Sequence, residues 1–142
     1  MGLDAVVYRN AAALVRTYGE DALLTDPVTG EAYTNATSSL KLPRDVTVAE
    51  SRRLGNIAEI GHIRDLLARR TGDGHGQESV VANIVSSGSH AGDVITLEEL
   101  PQLDRELIQL EAENLPELKP FVESLRALVS VARQEASPIV FV

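Results

Sequence analysis

The chain has 142 residues, no cysteine and a formal net charge of −8 at neutral pH. This length fits one domain with a buried core, and the lack of cysteine excludes disulfides, thiolate zinc sites and cysteine nucleophiles. No apolar run approaches the roughly 20 residues that span a bilayer, and the first residues lack the basic segment of a signal peptide. These features predict a single globular domain in the cytoplasm.

The charge is divided unevenly between the two halves of the chain. Residues 1–71 hold nine acidic and nine basic side chains, whereas residues 72–142 hold twelve acidic and four basic ones. An acidic surface repels phosphate backbones and attracts basic proteins, so we expect no nucleic-acid binding and a basic protein partner. The alternative is that these carboxylates only keep a helical surface soluble.

The first third of the chain predicts a strand, a helix and a hairpin. The apolar start favours a strand, and Pro27 with Gly30 favours a turn between two short strands. The predicted elements are a strand over residues 3–8, a helix over 11–18, a hairpin over 22–34 and a polar connection over 35–46.

A long helix is predicted over residues 48–70. Asp45 or Thr47 can cap it, Thr47 and Glu50 fit a capping box, and an apolar stripe then repeats at helical spacing. Glycines at 72, 74 and 76 break the pattern. Residues 78–85 fit either a short helix or a buried strand, and we favour the helix. The stripe consists of Leu54, Ile57, Ile60, Ile63 and Leu67.

The second half predicts two amphipathic helices and a terminal strand. Thr96 and Glu99 fit a second capping box, followed by leucines at helical spacing. The next helix is predicted over 116–135, or from one turn later because of Pro120. Residues 138–142 predict a strand beside the N-terminal strand or the hairpin. The expected fold is α+β: a small sheet containing both chain termini and a hairpin, packed against three to four helices.

One candidate site is the polar loop over residues 86–93. Its two glycines let the backbone turn tightly, so that Ser87, Ser89, His90 and Asp93 could bind a small molecule or an anion. A hydrolase would use a serine as nucleophile, His90 as base and Asp93 to orient the imidazole. The alternative is a structural turn whose side chains satisfy backbone amides.

Three polar residues of the predicted helix are candidates for the same site. Arg53, Asn56 and Arg64 fall on or beside the apolar stripe, where polar groups need partners. We expect them to face a polar site, paired with Asp4 or Asp93. The alternative is that the arginine stems cross apolar surface and Asn56 bonds to backbone.

The sequence predicts neither a metal site nor a cofactor. The three histidines, at 62, 75 and 90, do not share a spacing typical of metal ligands. The glycine-rich segment 72–76 lacks the lysine and the preceding strand of a phosphate-binding loop.

Two short segments carry a resemblance to known proteins. The start Met1-Gly2-Leu3-Asp4 and the run Ser87-Gly88-Ser89-His90-Ala91-Gly92-Asp93 before a leucine-rich helix resemble small uncharacterised bacterial and phage proteins. The chain is also similar to immunity proteins of polymorphic-toxin systems. An immunity role would imply a stoichiometric, non-catalytic toxin-binding protein.

Three functions are therefore open at this point. The first is a non-catalytic interaction protein, the second a small-molecule or anion-binding domain, and the third a small hydrolase. For the first, we expect electrostatic steering of a basic partner toward the acidic helices. The candidate partner-binding residues are Glu106, Glu111, Glu113 and Glu117.

Overall fold

The computed structural model describes residues 2–19, 22–34, 42–71, 79–86 and 91–142. Within these ranges the predicted α+β architecture is confirmed. The elements are β1 (Gly2–Tyr8), α1 (Ala11–Tyr18), β2 (Leu23–Thr25), β3 (Ala32–Thr34), α2 (Arg44–Thr47), β4 (Val48–Asn56), α3 (Ile57–Thr71), α4 (Val80–Ser86), β5 (Val94–Ile95), a 3₁₀ turn (Leu97–Glu99), α5 (Leu100–Ala112), α6 (Lys119–Glu135) and β6 (Ile139–Phe141).

The main sheet has four antiparallel strands in the order β4-β1-β6-β5. The strands from the two ends of the sequence lie side by side, which is one of the two predicted placements, and Val6 lies opposite Val140. The hairpin β2–β3 forms a separate two-stranded sheet. Of the predicted polar connection, residues 35–41 lie outside the described residues, and the remainder contains the short helix α2.

One face of the main sheet carries the core. Leu3, Ala5 and Val7 of β1 pack under α6, which is amphipathic and buries six side chains. The helix α5 packs on α6 through four leucines that have the predicted helical spacing. Each fully buried leucine contributes roughly 1.5–3 kcal/mol through removal of apolar surface from water. The buried residues of the two helices are Phe121, Val122, Leu125, Leu128, Val129 and Ala132, with Leu100, Leu103, Leu107 and Leu110.

A smaller cluster joins α1 to the hairpin. Leu14, Leu23 and Ala32 are buried together. Asn10 fixes this unit at the start of α1, because its Oδ1 accepts the N–H of Ala13 at 3.2 Å. Its Nδ2 also donates to the carbonyl of Glu135 at 2.9 Å. One asparagine therefore caps α1 and joins it to the end of α6.

The predicted helix over residues 48–70 is wrong in its first part. Residues 48–56 form β4, and the helix begins only at Ile57. Alanine, glutamate, arginine and leucine favour a helix locally, but β4 pairs with β1 at seven positions, and this tertiary pairing overrides the local preference. Arg53 and Asn56 therefore lie on a strand and not on a helical stripe.

The start of α3 is fixed by Asn56, so the predicted capping box at Thr47 is also wrong. The Oδ1 atom of Asn56 accepts the backbone N–H of Glu59 at 2.8 Å, and its Nδ2 donates to Oε1 of Glu59 at 2.7 Å. The first contact is an N-cap at the spacing that Thr47 and Glu50 also show, and the second joins the two side chains. Gly55 makes room for it, because a Cβ there would lie 3.1 Å from Oε2 of Glu59.

The other helix predictions can be compared directly with the structure. Residues 80–86 form a helix, which confirms the favoured alternative for that segment. The capping box of Thr96 and Glu99 is present, with a 3₁₀ turn before α5. The last helix starts at Lys119, with Pro120 in its first turn, where a missing N–H does little harm.

We expect Asn56→Ala to lower the free energy of unfolding by about 1 kcal/mol, because the N-terminal amides of α3 lose their cap. The measurement is urea unfolding, read as a lower midpoint at an unchanged m-value. Glu50→Ala is the control, since its exposed ion pair with Arg52 contributes about 0.5 kcal/mol or less. An equal loss in the two variants would contradict this helix start.

Candidate functional site

Of the loop over residues 86–93, the structure describes Ser86, which ends α4, and residues 91–93. Ser87, Ser89 and His90 lie outside the described residues. Asp93 is exposed, and its carbonyl accepts the N–H of Phe141 at 2.9 Å. The N–H of Gly92, a residue with φ of +95°, donates to the carbonyl of Phe141 at 2.8 Å. Only glycine adopts this φ without strain, so Gly92 lets the loop turn onto β6.

Arg64 lies next to the start of this loop. Its Nε donates to the carbonyl of Val85 at 2.5 Å, one residue before the end of α4. The last carbonyls of a helix have no partner within the helix. A cation at this position is also stabilised by the helix dipole. Arg64 therefore holds α4 against α3 and satisfies one carbonyl.

Arg53 lies far from the described end of the loop. It forms an ion pair with Asp4, one of its two predicted partners, at 3.9 Å between Nη1 and Oδ1. Both side chains are well exposed, so the pair contributes little stability. Arg53 is on β4 and Asp93 precedes β5, at opposite edges of the sheet. Three strand spacings of about 4.8 Å separate these edges by roughly 14 Å.

Asn56 is engaged in the cap of α3 and faces no part of the loop that the structure describes. Of the three polar residues predicted to share a site with the loop, the structure places only Arg64 beside it. The apparent grouping followed from assigning all three to one helix. The small-molecule site at the loop stays a prediction.

Glu106, a predicted partner-binding residue, makes internal contacts. Its carboxylate on α5 accepts the hydroxyl of Ser79, the N–H of Val80 at 3.0 Å and the N–H of Val81 at 3.2 Å. Gln102 also donates to it, at 3.1 Å. A carboxylate at these amides satisfies unpaired donors of α4 and complements the dipole of the helix. Glu106 is therefore a cap supplied by a neighbouring helix.

The other three predicted partner-binding glutamates lie near the α5–α6 turn and are exposed. Glu111 bonds to Arg126 of α6 at 2.5 Å, and both side chains are about half exposed. Glu113 also has a partner. Glu117 makes no hydrogen bond or ion pair within the described part of the chain, so its charge is available to another molecule.

A groove lies between the end of α5 and the start of α6. Its volume is about 310 Å³. Leucine and valine side chains lie beside carboxylates in its lining, and Lys119 offsets part of the negative charge. We call it the α5–α6 groove. Its lining residues are Leu110, Glu111, Asn114, Leu115, Leu118, Lys119, Val122 and Glu123.

Exposed apolar side chains continue along the outer side of α5. Leu97 is 42% exposed and Ile108 is 49% exposed. Pro101 and Ile108 lie about 20° apart around the axis of α5, since successive residues turn by about 100°, and Leu97 lies in the 3₁₀ turn just before the helix. Glu98 is exposed beside them. Apolar residues with a charged rim are the usual arrangement of a protein interface.

A second cavity, of about 410 Å³, lies between the hairpin and the main sheet. Tyr8, Thr47 and Val142 are among its lining residues. Tyr33 belongs to the outward side of the hairpin, because it pairs with the exposed Leu24 and not with the buried Leu23. Sequence reasoning missed this cavity, since it arises from the packing of two separate sheets and no local motif marks it.

Comparisons with known proteins do not extend these assignments. No protein family matches the chain, and no curated protein or solved structure matches it. The similarity to immunity proteins stays a prediction. Across the described ranges, no three metal-ligating side chains form a group that could hold an ion. No helix in those ranges is long and apolar enough to cross a membrane.

We expect Glu106→Ala to lower the free energy of unfolding by about 2 kcal/mol, because α4 loses a charged acceptor for several donors. Glu111→Ala is the control, because it changes the same residue type in the same helix but breaks only an exposed ion pair. We expect it to lower the free energy of unfolding by about 0.5 kcal/mol. Urea unfolding measures both.

Hydrogen exchange provides a local readout for the same pair of variants. The amides of Val80 and Val81 should exchange faster in Glu106→Ala than in the wild-type chain. Their exchange rates should be unchanged in Glu111→Ala. Equal stability losses, with no change at these amides, would contradict the cap.

Proposed function

We propose that this protein is a non-catalytic interaction protein whose C-terminal half binds a basic protein partner. The observation that carries the proposal is the α5–α6 groove together with the exposed apolar side of α5. Leucine side chains lie there beside Glu111, which pairs with Arg126, and beside Glu123, for which the described residues offer no partner. An arginine or lysine fits such a surface, since its aliphatic stem packs on apolar atoms and its charged end reaches carboxylates.

The glutamates divide into two groups with different roles in binding. Glu106 and Glu111 already hold internal partners, so a bound protein would have to compete for them. Glu98, Glu117 and Glu123 are exposed, and the described residues offer them no hydrogen bond or ion pair. We therefore assign direct contact to the second group and assign Glu106 a structural role.

The net charge supports the proposal in a different way. A charge of −8 attracts a basic protein over distances up to about the Debye length, which is roughly 8 Å at physiological salt. This long-range field depends on the sum of charges and includes the paired ones. It raises the association rate, whereas contacts in the groove lower the dissociation rate.

The similarity to immunity proteins suggests what the partner is. A basic toxin bound one-to-one in the cytoplasm would agree with the acidic surface and with a non-catalytic role. The anion-binding alternative retains one supporting contact, the placement of Arg64 beside the loop. The hydrolase alternative depends on Ser87, Ser89 and His90, which lie outside the described residues.

The test is affinity capture from a lysate of the source organism, followed by measurement of the binding constant for the captured protein. We expect a basic protein bound with one-to-one stoichiometry. The double variant Glu117→Lys with Glu123→Lys should weaken binding at least about tenfold, because two unpaired contact charges are reversed.

The matched control is Asp45→Lys with Asp65→Lys, which changes the net charge equally on exposed positions outside the C-terminal half. If both double variants weaken binding to the same extent, net charge alone is responsible and the groove is not the contact. Unchanged binding in both variants would contradict an electrostatic interaction altogether.

A further inference from the structure

The strand β4 lies at one edge of the main sheet. It pairs with β1 on one side, and no other described strand pairs with its outer side. Ser51, Arg52 and Arg53 are exposed there. An exposed sheet edge presents backbone groups that another strand can bind.

The structure shows which backbone groups point outward. The N–H of Ser51 donates to Oε1 of its neighbour Glu50 at 3.3 Å. The carbonyl of Asp4 accepts the N–H of Val142, so Asp4 and Val6 direct their backbone groups to β6, and Ser51, opposite Val6, directs its own away from β1. In an antiparallel pair, each residue directs its N–H and C=O to one side of the strand, and the side alternates along the chain. The backbone groups of Ser51 and Arg53 therefore point outward, while those of Glu50 and Arg52 bond to β1.

We propose that β4 pairs antiparallel with β4 of a second copy of this chain, with Ser51 on the twofold axis. The two Ser51 residues would exchange backbone hydrogen bonds, and the two four-stranded sheets would join into one. Because side chains directly opposite share a face, Glu50 would lie opposite Arg52 of the partner subunit. Symmetry repeats this pair, so the edge is complementary to itself.

The charges select this register among those that the outward amides allow. Only residues whose backbone groups point outward can bond across the new interface. The register shifted by two residues therefore places Ser51 opposite the partner's Arg53. That register brings Arg52 opposite the partner's Arg52, and like charges directly opposite are destabilising. Glu50 and Arg52 already contact each other at 3.4 Å within one chain, which places both side chains on the same face.

The regular part of β4 limits the strength of this association. The register with β1 shifts on both sides of residues 50–53, which indicates bulges at the two ends of this segment. Bulges twist an edge strand away from regular pairing. The new ladder is therefore short, and we expect a weak, concentration-dependent dimer.

The first experiment is sedimentation equilibrium over a range of concentrations at physiological salt, where repulsion between two acidic chains is screened. Arg52→Glu should raise the dimer dissociation constant about tenfold, because both symmetric pairs become repulsive. Combining it with Glu50→Arg should restore the dimer, since opposite charges face each other again. Arg105→Glu, on the exposed side of α5, changes net charge equally and should have no effect.

A second experiment uses the absence of cysteine from the chain. Ser51→Cys should give a cross-linked dimer with a short bismaleimide reagent, whereas Ser130→Cys, exposed on α6, should not. A wild-type chain that sediments as a monomer at every concentration would overturn the proposal. A dimer whose dissociation constant is unchanged by Arg52→Glu would also overturn it. The same holds if Ser130→Cys gives as much cross-linked dimer as Ser51→Cys.

Discussion

The rest of the fold depends on the position of β1 in the sheet. This strand pairs with β4 on one side and with β6 on the other, and Ala5, Val6 and Val7 are completely buried. The pairing with β6 joins residues more than 130 positions apart in the sequence. Such a contact has a large loop-closure cost, so helix packing on the same face is needed to stabilise it. The leucine-rich faces of α5 and α6 meet this requirement.

Carboxylates in the C-terminal half have roles that depend on the nearest donors. Glu106 accepts N–H groups at the start of α4, and Glu99 accepts the N–H of Thr96. Glu111 forms an ion pair with Arg126. Charge-assisted hydrogen bonds to amides contribute more than exposed ion pairs do. The same residue type therefore serves as a cap, a surface pair or a free charge. The negative charge counted from the sequence overstates the number of carboxylates available for contact.

The sequence predicted the elements whose signals are local. The helices α5 and α6 follow from leucine spacing, and the capping box of Thr96 and Glu99 lies within four consecutive residues. The helix predicted from residue 48 failed because Thr47 with Glu50 shows the same local spacing as Asn56 with Glu59, which begins the helix in the structure. Only the pairing of β4 with β1 distinguishes them, and that contact spans about fifty residues.

The candidate site was less predictable than the fold for the same reason. Arg53, Asn56 and Arg64 were grouped by helical periodicity, and the grouping disappeared once a strand replaced the first part of the helix. The role of Glu106 could not be derived, since Val80 and Val81 precede it by more than twenty residues. Partners of charged side chains are set by tertiary packing. The element type can be read locally, but the role of a charge cannot.

The separation of paired and unpaired carboxylates also determines how salt should act on binding. Long-range attraction depends on the sum of all charges, paired and free alike. It is screened as ionic strength rises. A close contact between a guanidinium and a carboxylate in a partly apolar groove is screened much less. Steering by the whole C-terminal half would therefore appear in the association rate, and anchoring in the α5–α6 groove would appear in the dissociation rate. Glu106 contributes to the first quantity without being free for the second, because its partners are neutral donors, whereas the charge of Glu111 is offset by Arg126. Kinetic measurements therefore separate the two roles where equilibrium constants combine them.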